Sequence, residues 1–346
     1  MSIATRKDKI EAKLSRDPGV KISILTASRM WQSEFWTRNI TNVLTQQEIE
    51  KKAPAPPPRN MAWRLFRQRK KFDVVATAGP VNFWYALLGL ISLGSKTAHV
   101  AQELFLPEQE SGWKYRLKRL VRRIVFSKTD RFVVYSNAER ELWAEYLGLP
   151  VERFSTVLFH TNVLEPKLTK REAYGFAAGR SERDYATFFE AVRGLDYSFV
   201  VVSDPASVKS LDIPDNVELH CNIPYEKYLS LAQKASFTIV PLQVRQRSSG
   251  QVVILEGYAF GKPTIATRMV GTLDYVSDGE TGFLCDPYSA DSMRQCIMKC
   301  IAAPELVERM GRNAIDKVNQ TYTFDAYVKN ILAVLEQAVA SKRSRI

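Results

Sequence analysis

The residues best suited to chemistry lie in one stretch, FTIVPLQVRQRSSGQVVILEGYAFGKPTIAT, at positions 237–267. An apolar run stops at Pro241, and a polar loop follows that ends in Ser248, Ser249 and Gly250. An apolar helical run over 251–260 comes next, opening with Gln251 and Val252; Gly261 ends it and Pro263 bars its continuation. A further strand begins at once. Such a strand–loop–helix–strand unit sets a helix N-terminus at the C-terminal edge of a parallel sheet, where free N–H groups and the helix dipole attract an anion. Gly250, lacking a Cβ, lets a phosphate approach its backbone. Glu256, six residues further on, is badly placed for a phosphate but well placed for two adjacent hydroxyls, such as those of a ribose. An ordinary capped helix with a solvated glutamate fits the same pattern, and the residues alone leave both readings open.

Those residues need a scaffold, and the chain supplies one twice. Strand-like runs occur at 21–26, 72–77, 97–101, 131–135 and 155–159, then at 174–178, 198–202, 217–220, 237–241 and 264–267, with helical stretches between them. Short apolar strands alternating with helices predict parallel sheets covered on both faces. Two sets predict an α/β protein with domains at 1–165 and 166–324, and a last helix over 325–346 that packs back on the first domain. The polar, proline-bearing segment around 162–171 marks the junction. The chain has 346 residues, 45% hydrophobic and 25% charged, as in a soluble globular protein. Its four cysteines match no zinc spacing; Cys296 and Cys300 stack on one helix face, where core packing is the simpler role than metal. The start of the chain carries no apolar signal-peptide core. The apolar run at 81–93 is too short for a bilayer, which needs about 20 residues, and is expected to form a buried helix.

The stretch LEGYAFGKPTIATRMVGTLDYVSDGETGFLCDP, at 255–287, resembles the C-terminal signature of the family-four retaining glycosyltransferases. The residues that carry the likeness are Glu256, Gly261, Pro263, Gly271, Asp274, Asp278, Gly279, Gly282 and Leu284, and it continues through PELVERMGRNAIDKV at 304–318. A second likeness lies upstream in FAAGRSERDYATFFEAV, at 176–192, where Arg180 and Arg183 stand in place of the family's Arg and Lys. The resemblance implies the GT-B fold: two Rossmann-like parallel-sheet domains facing each other across a cleft. It implies transfer of a sugar from a nucleotide-diphospho-sugar to an acceptor hydroxyl, with retention. By the same resemblance Glu256 holds the ribose, while Arg180, Arg183 and the helix start at 249–252 hold the diphosphate. Two cations beside a helix N-terminus would stabilise the charge that builds on the departing nucleotide. The competing reading pairs both arginines with Glu182 and Asp184 on a surface loop. Relatives carry a second glutamate where this chain has Ser248, which can hydrogen-bond a sugar hydroxyl but brings no charge; Gln251 could offer an amide instead. No Asp-x-Asp pair occurs, so neither a metal nor a cofactor beyond the donor is expected. A catalytically degenerate GT-B protein that binds nucleotide or partner is the alternative.

The first half resembles the family more weakly, through strand order and AHVAQELFLPEQE at 98–110. Relatives place a His-Glu or His-Asp pair after this strand; here the pair reads Gln102-Glu103. Glu103 is the candidate to orient or deprotonate the acceptor hydroxyl. His99 reads as structural, and His160 as a residue of the domain crossing. Relatives open with a strand and a Gly-rich loop, whereas this chain opens with a helix-like run, so its first domain is expected to lack that strand. Residues 1–165 hold 27 Lys and Arg against 16 Asp and Glu, and the remainder 22 against 21. Within the basic half, WKYRLKRLVRRIVF at 113–126 reads as an amphipathic helix with Trp113, Leu117, Leu120, Val121 and Ile124 on one face. With MAWRLFRQRKKF at 61–72 it suits an anionic bilayer interface and a lipid-linked or glycan acceptor of cell-envelope or exopolysaccharide synthesis. A core helix with a solvated charged face is the competing reading. The expected place is the cytoplasm, peripheral on the inner face of the cytoplasmic membrane. No nucleic-acid-binding module is recognisable, and the absence of Gly-x-Gly-x-x-Gly argues against a dinucleotide-binding dehydrogenase.

Overall fold

The computed structural model describes residues 22–27, 40–45, 48, 54–92, 95–104 and 112–345. The helix-like opening run lies outside the described residues. The chain divides into two compact units, one of residues 1–157 with 328–346 and one of residues 158–327.

The first unit holds β1 (Ile24–Thr26), β2 (Ile40–Asn42), β3 (Val74–Ala78), β4 (Ala98–Gln102), β5 (Arg131–Val134) and β6 (Phe154–Thr156). They form one parallel sheet in the order β2-β1-β3-β4-β5-β6. β1 therefore sits inside the sheet, between β2 and β3. Its helices are α1 (Pro58–Gln68), α2 (Val81–Leu90), α3 (Trp113–Phe126) and α4 (Asn137–Leu147). α1 starts on a proline, whose missing N–H costs nothing in the first turn, and buries Ala62 and Leu65 beside Leu25, Val75 and Tyr85.

The apolar run that opens at Val81 forms the expected helix, buried on one face. At 3.6 residues per turn only one face can meet the sheet. Val81, Asn82, Tyr85 and Ala86 of α2 point inward, while Trp84, Leu87 and, just beyond the helix, Ile91 are exposed, Ile91 at 74%. α3 behaves alike: it buries Val125 and Phe126 at its end and leaves Trp113, Leu117, Leu120, Val121 and Ile124 exposed.

The second unit holds β7 (Tyr174–Ala178), β8 (Ser198–Ser203), β9 (Val217–Cys221), β10 (Phe237–Val240), β11 (Thr264–Thr267) and β12 (Gly282–Cys285). The parallel order is β12-β11-β10-β7-β8-β9. Six helices accompany them among the described residues: α5 (Tyr185–Val192), α6 (Pro205–Val208), α7 (Tyr225–Lys234), α8 (Gln251–Ala259), α9 (Ala290–Ala302) and α10 (Pro304–Thr321). Alternate strand residues feed two cores. Phe176, Ala178, Val240 and Ala266 pack with Ile254, Leu255 and Tyr258 of α8. Ala177, Phe199, Ile239 and Ile265 pack with Phe188 of α5 and with Met293, Cys296 and Cys300 of α9. Both faces are thus covered, which explains why β7, β10 and β11 are buried at every position, and the two helix cysteines are core residues.

The last helix, α11 (Phe324–Arg343), starts in the second unit and continues into the first. Its end is fixed there by ion pairs: Lys342 to Asp130 at 3.4 Å, Arg343 to Asp73 at 2.8 Å and Arg345 to Asp130 at 3.5 Å. No described helix is long and apolar enough to cross a membrane.

Candidate active site

In the second sheet the chain runs outward from β7 through β8 to β9, then returns to build β10, β11 and β12 on the other side. The order reverses between β7 and β10, and the loops that leave their C-terminal ends must diverge there. Open α/β sheets bind ligands at such a point. Here the two loops, 179–184 and 241–250, are laced together: Arg183 and Leu242 form an antiparallel bridge, Asp184 N donates to Pro241 O at 3.1 Å and Gln243 N to Glu182 O at 3.0 Å.

Arg180 projects from the first loop with an exposed side chain. Arg183 folds back over Gly179, donating from Nε to Ala178 O at 2.8 Å and from Nη1 to Ser181 O at 2.9 Å. Gly179 has φ +112°, and a Cβ there would stand 2.3 Å from Arg183 Nη2, so only glycine admits this pose. Burial is the main cause holding the Arg183 guanidinium below its usual pKa, and Tyr185, Tyr228 and Glu182 oppose that. The pairing of both arginines with Glu182 and Asp184 is not what is found. Asp184 caps α5 by accepting from Thr187 N, and Glu182 pairs with Arg247 of the second loop, with Arg245 at 3.9 Å.

The second loop delivers Ser248, Ser249, Gly250, Gln251 and Val252 to the start of α8, which no side chain caps. Gly250 is needed for a reason the sequence did not suggest. Its φ is +87°, and a Cβ would lie 2.8 Å from Val240 Cγ1, so glycine is required here by the packing of the loop on the core. Behind the loop, a Cβ on Gly271 would meet Ser248 Cα at 2.5 Å and Ser249 N at 2.7 Å. Gln251 Nε2 donates to Gly271 O at 3.4 Å. α8 ends as expected at Gly261, φ +68°: Lys262 N reaches Gly257 O and Gly261 N reaches Tyr258 O, both at 2.9 Å, closing the last turn.

Glu256 is not the solvated residue of an ordinary capped helix. It is 1% exposed, and both its oxygens accept phenolic hydrogen bonds, Oε1 from Tyr225 and Oε2 from Tyr228, each at 2.6 Å. The sequence reading missed these tyrosines; they lie about 30 residues upstream of Glu256, on α7, and no local pattern announces the contact.

Glu103 belongs to the first unit. It follows β4 with φ +51°, unusual for a non-glycine residue, and its Oε2 would be 3.9 Å from a Cβ on Gly79. Burial raises its carboxyl pKa, the direction that suits a proton acceptor near neutrality. His99 bridges Thr77 Oγ1 at 2.8 Å and Thr129 Oγ1 at 3.0 Å, and burial, with Lys342 nearby, brings its pKa down to about 3, so it is a neutral structural group. His160 sits in an aromatic nest of Phe159, Phe324 and Tyr327, each ring centroid 4.9 Å away, with its pKa lowered by burial.

Two family models match this chain, one described as Glycosyltransferase Family 4 over residues 16–157 and one as Glycosyl transferases group 1 over residues 205–317. An uncharacterized glycosyltransferase of Methanocaldococcus jannaschii is 27% identical over 155 residues, 43% of each chain. The D-rhamnosyltransferase WbpZ of Pseudomonas aeruginosa is 29% identical over 142 residues, 39% of this chain and 37% of that one. The matched stretch thus spans less than half of either relative. Among solved structures, a glycosyltransferase from Rickettsia africae superposes with TM-score 0.67 at 14% identity, over 92% of this chain and 99% of that one. Anabaena HepE, solved in complex with UDP-glucose, superposes with TM-score 0.62 at 14% identity, over 94% and 100%. These likenesses identify the fold as GT-B.

Proposed function

Because this chain belongs to the family-four glycosyltransferases, we propose that it moves a sugar from a nucleotide-diphospho-sugar to an acceptor hydroxyl, with retention of configuration and without a metal. One observation carries the reading. At the strand reversal of the second sheet, Arg183, pinned over Gly179, and Arg180 share a loop pair with the uncapped start of α8. A diphosphate received there meets two cations and the N–H groups at 249–252, and Glu256 takes the ribose diol. Ser248 and Gln251 face the sugar. As the glycosidic bond lengthens, charge grows on the departing diphosphate, and groups fixed in advance stabilise it without rearranging. The acceptor oxygen forms the new bond as the bond to the diphosphate breaks, and its proton passes to the departing diphosphate; Glu103 is the first unit's candidate for orienting an acceptor hydroxyl.

The acceptor is a lipid-linked or other glycan of cell-envelope or exopolysaccharide synthesis, met at the inner face of the cytoplasmic membrane. α2 and α3 support this. The exposed apolar residues of α3 lie among Lys114, Arg116, Lys118, Arg119, Arg122 and Arg123, an arrangement that fits an anionic bilayer rather than a core.

The test is donor turnover across UDP-, GDP- and ADP-sugars for the parent, Arg183→Ala and Glu256→Ala. The expected result is turnover of at least one donor by the parent and a loss of about 10²–10³ in kcat for Arg183→Ala. Parental rates in both variants would overturn the assignment. Ser248 in place of the family's glutamate favours a second reading, donor binding without transfer, which the same panel would reveal as affinity with no turnover by the parent.

A further inference from the structure

Resting on the donor assignment above, we infer that Tyr225 and Tyr228 are positioning residues that set Glu256 to recognise a ribonucleoside diphosphate by its ribose diol. Both tyrosines stand on the first turn of α7, three residues apart and so on one helix face. α7 follows β9 and therefore begins at the same C-terminal sheet edge as the two laced loops. The rings stack with centroids 5.7 Å apart and planes 15° from parallel, and the hydroxyls take one carboxylate oxygen each at 2.6 Å.

A glutamate has three rotatable side-chain bonds. Two phenols holding both its oxygens fix the carboxylate plane before any ligand arrives. A carboxylate has about four acceptor directions, of which the two phenols take two. An acceptor held in advance spares the ordering cost at binding. Burial first, and then the charge of Glu256, keeps the Tyr228 phenol protonated well above its usual range, so it stays a donor at any working pH.

The two tyrosines differ in surroundings. Tyr228 packs on Phe176 of β7 and lies near enough to Arg183 for each to shift the other's ionisation, which couples the ribose seat to the diphosphate loop. Tyr225 is 38% exposed and forms the outer side of the seat. A plain structural role, neutralising a buried carboxylate, would need the same hydrogen bonds but would not make affinity depend on the ligand's hydroxyls.

That difference is measurable by calorimetry. UDP, GDP and ADP are titrated into the full chain, and the tightest binder is compared with its 2′,3′-dideoxy counterpart, for the parent, Tyr225→Phe, Tyr228→Phe and the double variant. Each single variant is expected to bind the ribonucleotide about tenfold more weakly and the dideoxynucleotide as the parent does; the double variant binds both alike. With the matching donor sugar, KM rises and kcat holds. A ribose-to-dideoxy ratio that stays at the parental value in every variant overturns the inference, whether affinity falls for both ligands or for neither. A parent that binds none of the three nucleotides instead overturns the donor assignment itself. Melting of the unliganded variants checks the fold, and should Tyr228→Phe fail it, the more exposed Tyr225→Phe reports the same ratio.

Discussion

Each unit holds a parallel sheet of six strands among the described residues, in different strand orders, and the two spend their surfaces differently. The second nearly balances its charges and turns apolar side chains into two cores, one on each sheet face. The loops after β7 and β10 bring Arg180, Arg183, Arg245 and Arg247 to one sheet edge. The first carries the chain's basic excess and leaves large apolar side chains on α2 and α3 exposed. On the proposed reading one sheet serves a small anion site, while the other presents a surface that is both apolar and cationic. The fold sets where loops emerge, and the side chains on them decide what each edge meets.

If that division holds, damage to one unit should spare the other's task. The largest effect is expected in the second unit. Gly179→Ala places a methyl at the position of the Arg183 guanidinium and should lower kcat by about two orders of magnitude while keeping both charges, the range expected when a stabilising donor is displaced. Vesicle binding should be unchanged. Next comes the first unit. Replacing Leu117 and Leu120 by serine removes two apolar contacts, each worth about 1 kcal/mol when the side chain is half inserted. Sedimentation with anionic vesicles should fall by some tens of fold, while donor hydrolysis holds. A drop in donor hydrolysis of similar size would break the comparison. A smaller, several-fold rise in donor KM is expected for Gly271→Ala, which presses on the backbone of Ser248 and Ser249.

The smallest effect separates the units by pH. His99, in the first unit, has a folded pKa of about 3, below the value of 6.5 for a free histidine. The unfolded chain takes up that proton first, so its contribution to stability is present above pH 6.5 and is lost as pH falls from there toward 3. Lys262, in the second unit, is pushed down to about 7 from 10.5, first by burial and then by Arg171. Its contribution is lost as pH falls from about 10 toward 7. Each slope is at most about 1.4 kcal/mol per pH unit. Urea midpoints followed across both windows should flatten in the lower one for His99→Gln and in the upper one for Lys262→Met.

Much of this was legible in the residues because local periodicity records it. β7 and β11 fall where continuous apolar runs placed them, and α3 spans the amphipathic stretch that named it. β2 was not foreseen, since Ile40–Asn42 is a short edge strand with no buried residue to mark it. β12 was missed because its four residues follow a turn that reads as part of a loop. Arg180, Arg183 and 248–252 lie on or beside the two loops that leave the strand reversal, a placement that no residue pattern announced and that only the family resemblance implied. The setting of Glu256 was hidden, because hydrogen bonds from a helix about 30 residues away leave no local trace. The packing of Gly250 against Val240 was likewise hidden, because the contact is made across the fold. Loops show in a sequence; what presses against them does not.

The close seat of Gly271 behind Ser248 and Ser249 separates two things that could have varied together. The loop's path is held by contact with main chain, at Ser248 Cα and Ser249 N, rather than with the side chain at 248. Directed evolution toward a new donor sugar could therefore randomise position 248 and keep the surrounding frame, provided glycine is retained at 271.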